Sequence, residues 1–204
     1  LVDEGLLRKQ LKILKEVQEQ AGCRILLAQK AFSMFYAYPL IREYLAGSTA
    51  SGLYEARLGH EEFGGETHVF SPAYRPDEFE ELLGFADHFV FNSPDQVRRF
   101  GRRAKEAGKQ VGLRINLETT VKAVEAKFGM YLMEMKWLNL GGGHHITKDG
   151  YHVDLLIRLV RRLKETYHVE VYLEPGEAVV LNAGFLVSSV LDTMTNGMDI
   201  AILD

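Results

Sequence analysis

The chain has 204 residues, of which 47% are apolar and 25% are charged, and its formal net charge is −4. This composition is typical of a globular protein with one large domain or two small ones. The slightly acidic balance gives no electrostatic reason to expect nucleic acid or a membrane as partner, and no apolar run reaches the roughly 18 residues that span a bilayer. Cys23 is the one cysteine and cannot form an internal disulfide, so we expect a cytoplasmic protein with Cys23 buried.

The predicted elements alternate between short apolar strands and amphipathic helices. The first helix places Leu7, Leu11 and Leu14 on one face, with Asp3 as its N-cap. Strands are predicted at 24–29, 67–71, 89–92, 110–115, 136–140 and 170–173, and a further short strand ends near residue 51. Helices are predicted between them at 39–45, 53–58, 76–86, 118–128 and 153–166, and a further helix begins near residue 94. Two further strands, at 183–191 and 198–203, follow without a helix between them.

Repeated strand–helix units predict an α/β fold whose parallel strands are joined by right-handed crossovers. A doubly wound sheet and a barrel both satisfy this pattern. No Gly-x-Gly-x-x-Gly motif follows the first strand, which disfavours a dinucleotide-binding sheet. Seven strands precede Pro175, one fewer than in a (β/α)8 TIM-type barrel. We therefore expect an incomplete barrel over residues 1–182 and, over residues 183–204, strands that lead into a second, β-rich domain.

Polar or glycine residues follow six of the predicted strands. Both parallel architectures place functional sites at the carboxyl ends of their strands. The six residues at these positions are Lys30, Ser51, Asn92, Arg114, Gly141 and Glu174.

Three of these positions form a chemically coherent set. The amine of Lys30 could form a Schiff base, the backbone N–H groups of residues 141–143 could hold a phosphate, and Glu174 could pair with a protonated pyridine nitrogen. This combination is typical of a pyridoxal phosphate enzyme. The alternatives are a surface lysine, a flexible glycine turn, and an ion pair between Glu174 and Arg114.

Two adjacent histidines and a second carboxylate lie beside these motifs. His144 and His145 have poor spacing for a metal pair, and no cysteine or acidic residue accompanies them at the usual ligand spacings. We therefore predict no metal site there. His144 and Glu177 are candidates for contact with substrate, and a solvated role for either is left open.

Several stretches together resemble a known family. They are Lys30-Ala31-Phe32-Ser33 and residues 49–59, 138–147, 173–178 and 196–204. The chain resembles the carboxynorspermidine/carboxyspermidine decarboxylases, which are fold-type III (alanine racemase-like) pyridoxal phosphate enzymes. The related ornithine and diaminopimelate decarboxylases share the lysine, the glycine loop and Glu-Pro-Gly. Glu177 after Pro-Gly, in place of an arginine, is similar to the carboxynorspermidine branch.

The resemblance implies a function and a set of site residues. The reaction would be decarboxylation of carboxynorspermidine or carboxyspermidine to norspermidine or spermidine in polyamine biosynthesis, by a homodimer that uses pyridoxal 5'-phosphate. Lys30 would be the catalytic residue that carries the cofactor. The implied cofactor-binding residues are Lys30, Ser51, Glu55, Arg114, Gly141, Gly142, Gly143, Glu174 and Gly176.

The chain departs from the family pattern at two places. Asn116 is followed directly by Leu117, where the family carries a further βα unit, so one unit is expected to be missing near 116/117. The family's C-terminal β-barrel domain would follow residue 204.

Three other functions are left open by the sequence. They are another fold-type III decarboxylase acting on ornithine, arginine or diaminopimelate, a non-catalytic pyridoxal phosphate carrier, and an inactive relative that serves as a dimer partner.

Overall fold

A computed structural model describes residues 1–114, 136–185 and 187–204. Its main sheet consists of parallel strands in the order β5-β4-β3-β2-β1-β7-β6. The strands are β1 (Arg24–Ala28), β2 (Gly47–Ala50), β3 (Glu66–Phe70), β4 (His88–Phe91), β5 (Gln110–Leu113), β6 (Trp137–Asn139) and β7 (Glu170–Leu173). In a closed barrel, neighbours in sequence are neighbours in space and the last strand pairs with the first. Here β7 pairs with β1, and within the described residues no ladder joins β5 to β6. The order is therefore that of a barrel open between β5 and β6, and the predicted incomplete TIM-type barrel is confirmed.

Helices follow the strands and cover the outside of the sheet. They are α1 (Glu4–Ala21), α2 (Tyr38–Ile41), α3 (Leu53–Leu58), α4 (Pro76–Phe85), α5 (Pro94–Gln96), α6 (Arg102–Glu106), α7 (Val153–Tyr167) and α8 (Glu177–Val180). The predicted cap of α1 is confirmed, because the Asp3 carboxylate accepts a hydrogen bond from the Leu6 N–H at 2.9 Å. None of the helices in the described ranges is both long and apolar enough to span a membrane.

The described part of the chain has two apolar core clusters. One lies between α1, α7 and strands β1 and β7, and it includes the predicted helix face of Leu7, Leu11 and Leu14, which is fully buried. The other is aromatic and lies under α4, where Phe79 packs edge-on or tilted against Tyr74 and Phe100. Cys23 is buried as predicted, and burial raises the pKa of its thiol to about 11.

Some sequence predictions were wrong in their bounds. The helix expected at 39–45 is only α2, and the short helix α8 was not predicted. The strand expected at 183–191 does not form, since Gly184 makes an isolated bridge with Val2 and the strand begins only at Val190. That strand, β8 (Val190–Thr195), forms an exposed antiparallel hairpin with β9 (Asp199–Leu203). The predicted end of β5 at 115, the helix at 118–128 and the junction at 116/117 lie outside the described residues.

Strand β2 approaches β3 so closely that one position admits only glycine. A Cβ atom built on Gly47 would lie 2.0 Å from the backbone oxygen of Glu66. Backbone atoms of a central strand cannot move aside without breaking the ladder that joins Gly47 to Leu26 and Glu66.

We predict that Gly47→Ala lowers the free energy of unfolding by about 3 kcal/mol or more. Gly84→Ala in α4 is the matched control, because no atom lies within 4 Å of the added Cβ, and it should raise stability by up to about 1 kcal/mol. Urea denaturation followed by circular dichroism measures both values. Equal stability of the two variants would contradict this account of the β2–β3 contact.

Candidate active site

Two of the predicted motifs are in direct contact at the carboxyl edge of the sheet. Lys30 lies two residues beyond β1, in a turn where the Ala31 N–H donates to the Ala28 oxygen at 3.0 Å. A Cβ atom built on Gly176 would lie 2.6 Å from the Cβ of Ala31. The Glu-Pro-Gly loop therefore packs on the turn that carries Lys30, and only glycine at position 176 allows this approach.

Asn139 connects the glycine loop to Glu174. Its Nδ2 donates to Glu174 Oε1 at 2.7 Å, and its Oδ1 accepts from the Gly141 N–H at 2.8 Å. The Glu174 N–H in turn donates to the Gly141 oxygen at 2.8 Å. Sequence reasoning did not single out Asn139. The signal for it was a polar side chain inside the otherwise apolar run Trp137-Leu138-Asn139-Leu140.

The glycine loop has a backbone conformation that other residues rarely adopt. Gly141 has φ +73° and Gly143 has φ +82°, and a Cβ on Gly142 would lie 3.0 Å from the Glu174 oxygen. Gly142 and Gly143 are exposed. Left-handed turns of this kind direct successive backbone N–H groups to one side and make a concave site for an anion.

The two histidines after the glycines have different surroundings. His144 is half-buried, with Nδ1 3.3 Å from the Tyr151 hydroxyl, and its buried Nε2 has no hydrogen-bond partner in the part of the chain that the structure describes. Burial holds the pKa of His144 below its usual value. His145 Nδ1 lies 3.4 Å from Glu177 Oε2, and both side chains are about half exposed.

Of the remaining predicted residues, Ser51 and Arg114 lie at neighbouring strand ends and Glu55 lies in the first turn of α3. Glu55 Oε2 accepts from the Ser51 N–H at 2.6 Å, which caps the first turn of α3. The Arg114 guanidinium lies 4.3 Å from the centre of the Phe70 ring. The contacts of these residues within the described ranges do not reach Glu174, so the ion pair of Glu174 with Arg114 that the sequence left open gives way to the Asn139 hydrogen bond.

A buried polar network fixes the strand end from which Lys30 projects. Gln29 is only 1% exposed. Its Nε2 donates to the backbone carbonyl oxygen of Glu55 at 2.8 Å and to Ser48 Oγ at 3.3 Å. Its Oε1 accepts from the Tyr38 hydroxyl at 3.1 Å. Burial raises the pKa of Tyr38 to about 12, so the hydroxyl remains a donor at neutral pH. The position of Lys30 is thus set by three neighbouring elements.

These groups fit pyridoxal phosphate. An amine, a glycine turn for the phosphate and a carboxylate for the pyridine nitrogen lie on loops that contact one another. The unpaired Nε2 of His144 beside the turn is a further polar atom that a bound ligand would satisfy.

Comparison with known proteins gives a consistent result. No protein-family model matches the chain. It is 36% identical over 254 residues to a carboxynorspermidine/carboxyspermidine decarboxylase of Campylobacter jejuni and 32% identical over 255 residues to one of Herminiimonas arsenicoxydans. Both matches cover 100% of this chain, and they cover 66% and 69% of the relatives. A carboxyaminopropylagmatine decarboxylase of Synechocystis is 33% identical, over 94% of this chain and 63% of the relative.

Solved structures of decarboxylases resemble this chain as well. The crystal structure of the Campylobacter jejuni carboxynorspermidine decarboxylase, complexed with norspermidine, superposes with a TM-score of 0.88 over 100% of this chain and 66% of the other, at 36% identity. A diaminopimelate decarboxylase of Helicobacter pylori, at 15% identity and a TM-score of 0.74, shares the fold.

The chain spans about two thirds of the length of its curated relatives. The matched regions extend over 254 and 255 residues, more than the 204 of this chain, so the relatives hold additional residues within them. From the site geometry and from identity along its whole length, the chain belongs to the carboxynorspermidine/carboxyspermidine decarboxylase family.

Proposed function

We propose that this chain is the barrel portion of a pyridoxal phosphate-dependent decarboxylase that converts carboxynorspermidine or carboxyspermidine to norspermidine or spermidine. The observation that carries the proposal is the unbroken contact from Asn139 through Glu174 and Gly176 to the turn of Lys30. The relatives named for this reaction support it, as does the neighbour that holds norspermidine. The enzyme would act in polyamine biosynthesis, in the cytoplasm, with no nucleic acid or membrane as partner.

Each group has a defined task in this reaction. Pyridoxal phosphate, when bound, supplies the electron sink for loss of the carboxylate. Lys30 would hold the cofactor through its amine. The backbone N–H groups of residues 142, 143 and 176 would bind its phosphate, because the Gly141 N–H already donates to Asn139 Oδ1. Glu174 would keep the pyridine nitrogen protonated. Since Asn139 occupies Oε1 of Glu174, Oε2 is left to accept that proton's hydrogen bond.

Side chains beside the glycine loop would recognise the substrate amines. Glu177 offers a half-exposed carboxylate, paired with His145 at 3.4 Å, and a substrate ammonium could replace the imidazole as its partner. Because burial lowers the pKa of His144, its imidazole is neutral at neutral pH and can accept a hydrogen bond from an ammonium group. Ser51 and Arg114 would support the cofactor from the neighbouring strand ends, and Glu55 would support it from the first turn of α3.

We further infer how the chain relates to the whole enzyme. Residues 1–182 would form the barrel domain, lacking one βα unit near 116/117, and residues 183–204 would begin a C-terminal β-barrel domain. The extra residues of the relatives and the open junction between β5 and β6 support the first point. The exposed hairpin of β8 and β9 supports the second. The homodimer remains a prediction.

Glu174 distinguishes this proposal from a cofactor carrier. Storage of pyridoxal phosphate needs no proton on the pyridine nitrogen, whereas decarboxylation does. A carboxylate that is oriented by a dedicated asparagine favours the enzyme.

We predict that the protein with pyridoxal phosphate shows the visible absorbance band of a Schiff base and that Lys30→Ala abolishes it. Lys148→Ala, an exposed lysine in the turn after the histidines, is the matched control and should keep the band. Turnover is then compared among carboxynorspermidine, ornithine, arginine and diaminopimelate. Highest kcat/KM on any of the last three would replace the substrate assignment, and a band without turnover would favour the carrier.

We predict that Gly176→Ala weakens pyridoxal phosphate binding by about tenfold or more, because the new methyl group collides with Ala31. The double variant Gly176→Ala/Ala31→Gly removes that collision and should restore much of the affinity. Titration with the cofactor, followed by absorbance, gives the dissociation constants. A double variant as weak as the single one would show that the Ala31 contact is not the cause.

We predict that Asn139→Ala and Glu174→Gln each lower kcat by about tenfold or more and that the double variant is no slower than Glu174→Gln alone. Asn139 influences kcat through the Glu174 carboxylate, so its removal should lower kcat no further once that carboxylate is gone. Loss of its bond with the Gly141 N–H should instead weaken binding of the cofactor. Multiplicative losses in the double variant would assign Asn139 a separate role.

A further inference from the structure

A second cluster of ionisable side chains lies at the opposite edge of the sheet from Lys30. Glu66 is the first residue of β3, His68 follows two residues later on the same face, and His88 is the first residue of β4. His68 and His88 are direct partners in the β3–β4 register. The cluster is therefore at the amino ends of the strands and outside the site described above.

Both histidines are buried with an unpaired nitrogen. His68 is 0% and His88 is 8% exposed, and Nδ1 of each has no hydrogen-bond partner in the described ranges. The rings are stacked, with centroids 3.9 Å apart. Two phenylalanines would provide the same stacking without the cost of about 1–3 kcal/mol for each unpaired buried polar atom. The nitrogens therefore require a separate explanation.

Glu66 supplies an ionised carboxylate to this cluster. Its Oε1 lies 2.7 Å from Arg24 Nη1, and its Oε2 lies 3.3 Å from His68 Nε2. Burial opposes ionisation, but the hydrogen bond with His68 and the charge of Arg24 outweigh it and lower the pKa of Glu66. Arg24 occupies one carboxylate oxygen, which leaves Oε2 directed at the imidazoles.

We propose that Glu66, His68 and His88 bind one divalent d-block cation of the zinc type, which links β3 to β4 at the amino end of the barrel. One ligand atom from each residue lies within 4.8 Å of the other two. Two imidazole nitrogens and a carboxylate oxygen suit Zn²⁺ or Co²⁺, with a fourth position left for water. Binding requires the two stacked rings to turn so that their nitrogens converge on the ion.

The chain contains its own probe for this site. Trp137 is the one tryptophan of the sequence, and its ring centroid lies 5.4 Å from that of His88 and 6.3 Å from that of His68. An open-shell ion such as Co²⁺ bound to these histidines would quench the fluorescence of Trp137, whereas Zn²⁺ with its filled d shell would displace Co²⁺ and restore it.

The test is a Co²⁺ titration of the purified chain, followed by Trp137 fluorescence and by visible cobalt absorbance. We expect saturable quenching at one equivalent that Zn²⁺ reverses. Glu66→Gln and His88→Asn should each weaken Co²⁺ binding by about tenfold or more, since each removes a ligand. His152→Asn changes an exposed histidine before α7 and should leave the dissociation constant unchanged.

Circular dichroism establishes that each variant is folded. If His88→Asn fails to fold, Glu66→Gln alone decides, because its partly exposed carboxylate tolerates an amide of equal size. Zn²⁺ should then raise the melting temperature of the wild type and not of Glu66→Gln. Absence of saturable quenching, or quenching that Glu66→Gln leaves unchanged, would overturn the proposal. His68 and His88 would then be a stacked pair of core side chains that binds no metal.

Discussion

The hydrogen bonds of Asn139 are the interaction on which the rest of the site depends. They join β6, which leads into the glycine loop, to β7, which leads into Glu174. Together with the backbone hydrogen bond from the Glu174 N–H to the Gly141 oxygen, they hold the glycine turn against the Glu174 carboxylate. The contact of Gly176 with Ala31 then extends the same constraint to β1 and Lys30. Three groups distant in sequence are thereby held in one fixed arrangement, which is the requirement for binding a rigid aromatic cofactor.

The two ends of the sheet differ in the way polar groups are satisfied. At the carboxyl edge, loops with glycines expose backbone N–H groups and leave side chains accessible to a ligand. At the amino edge, His68 and His88 are enclosed by Trp137 and Tyr172, and their unpaired nitrogens are shielded from water. A buried polar layer of this kind is costly unless something completes it. One set of strands thus carries a candidate cofactor site at one edge and a candidate metal site at the other.

The open junction between β5 and β6 gives the barrel its unusual form. Trp137 of β6 lies so close to β5 that a Cβ on Gly112 would be 2.4 Å from its ring. An aromatic side chain therefore packs directly against the strand across the junction, where the backbones are not hydrogen-bonded to each other.

The sequence by itself determined the strand–helix alternation, the seven parallel strands and the positions of Lys30, Gly141 and Glu174 at strand ends. These follow from local periodicity and from the rule that parallel strands end at one edge. Asn139 and the His68–His88 pair were decided only by tertiary structure, because their partners are 35 and 20 residues away. The prediction of a strand at 183–191 was wrong because its outcome also depends on contacts with residues distant in sequence. Whether such a run pairs as a strand depends on which backbone lies beside it, and here that backbone is Val2 at the other end of the chain.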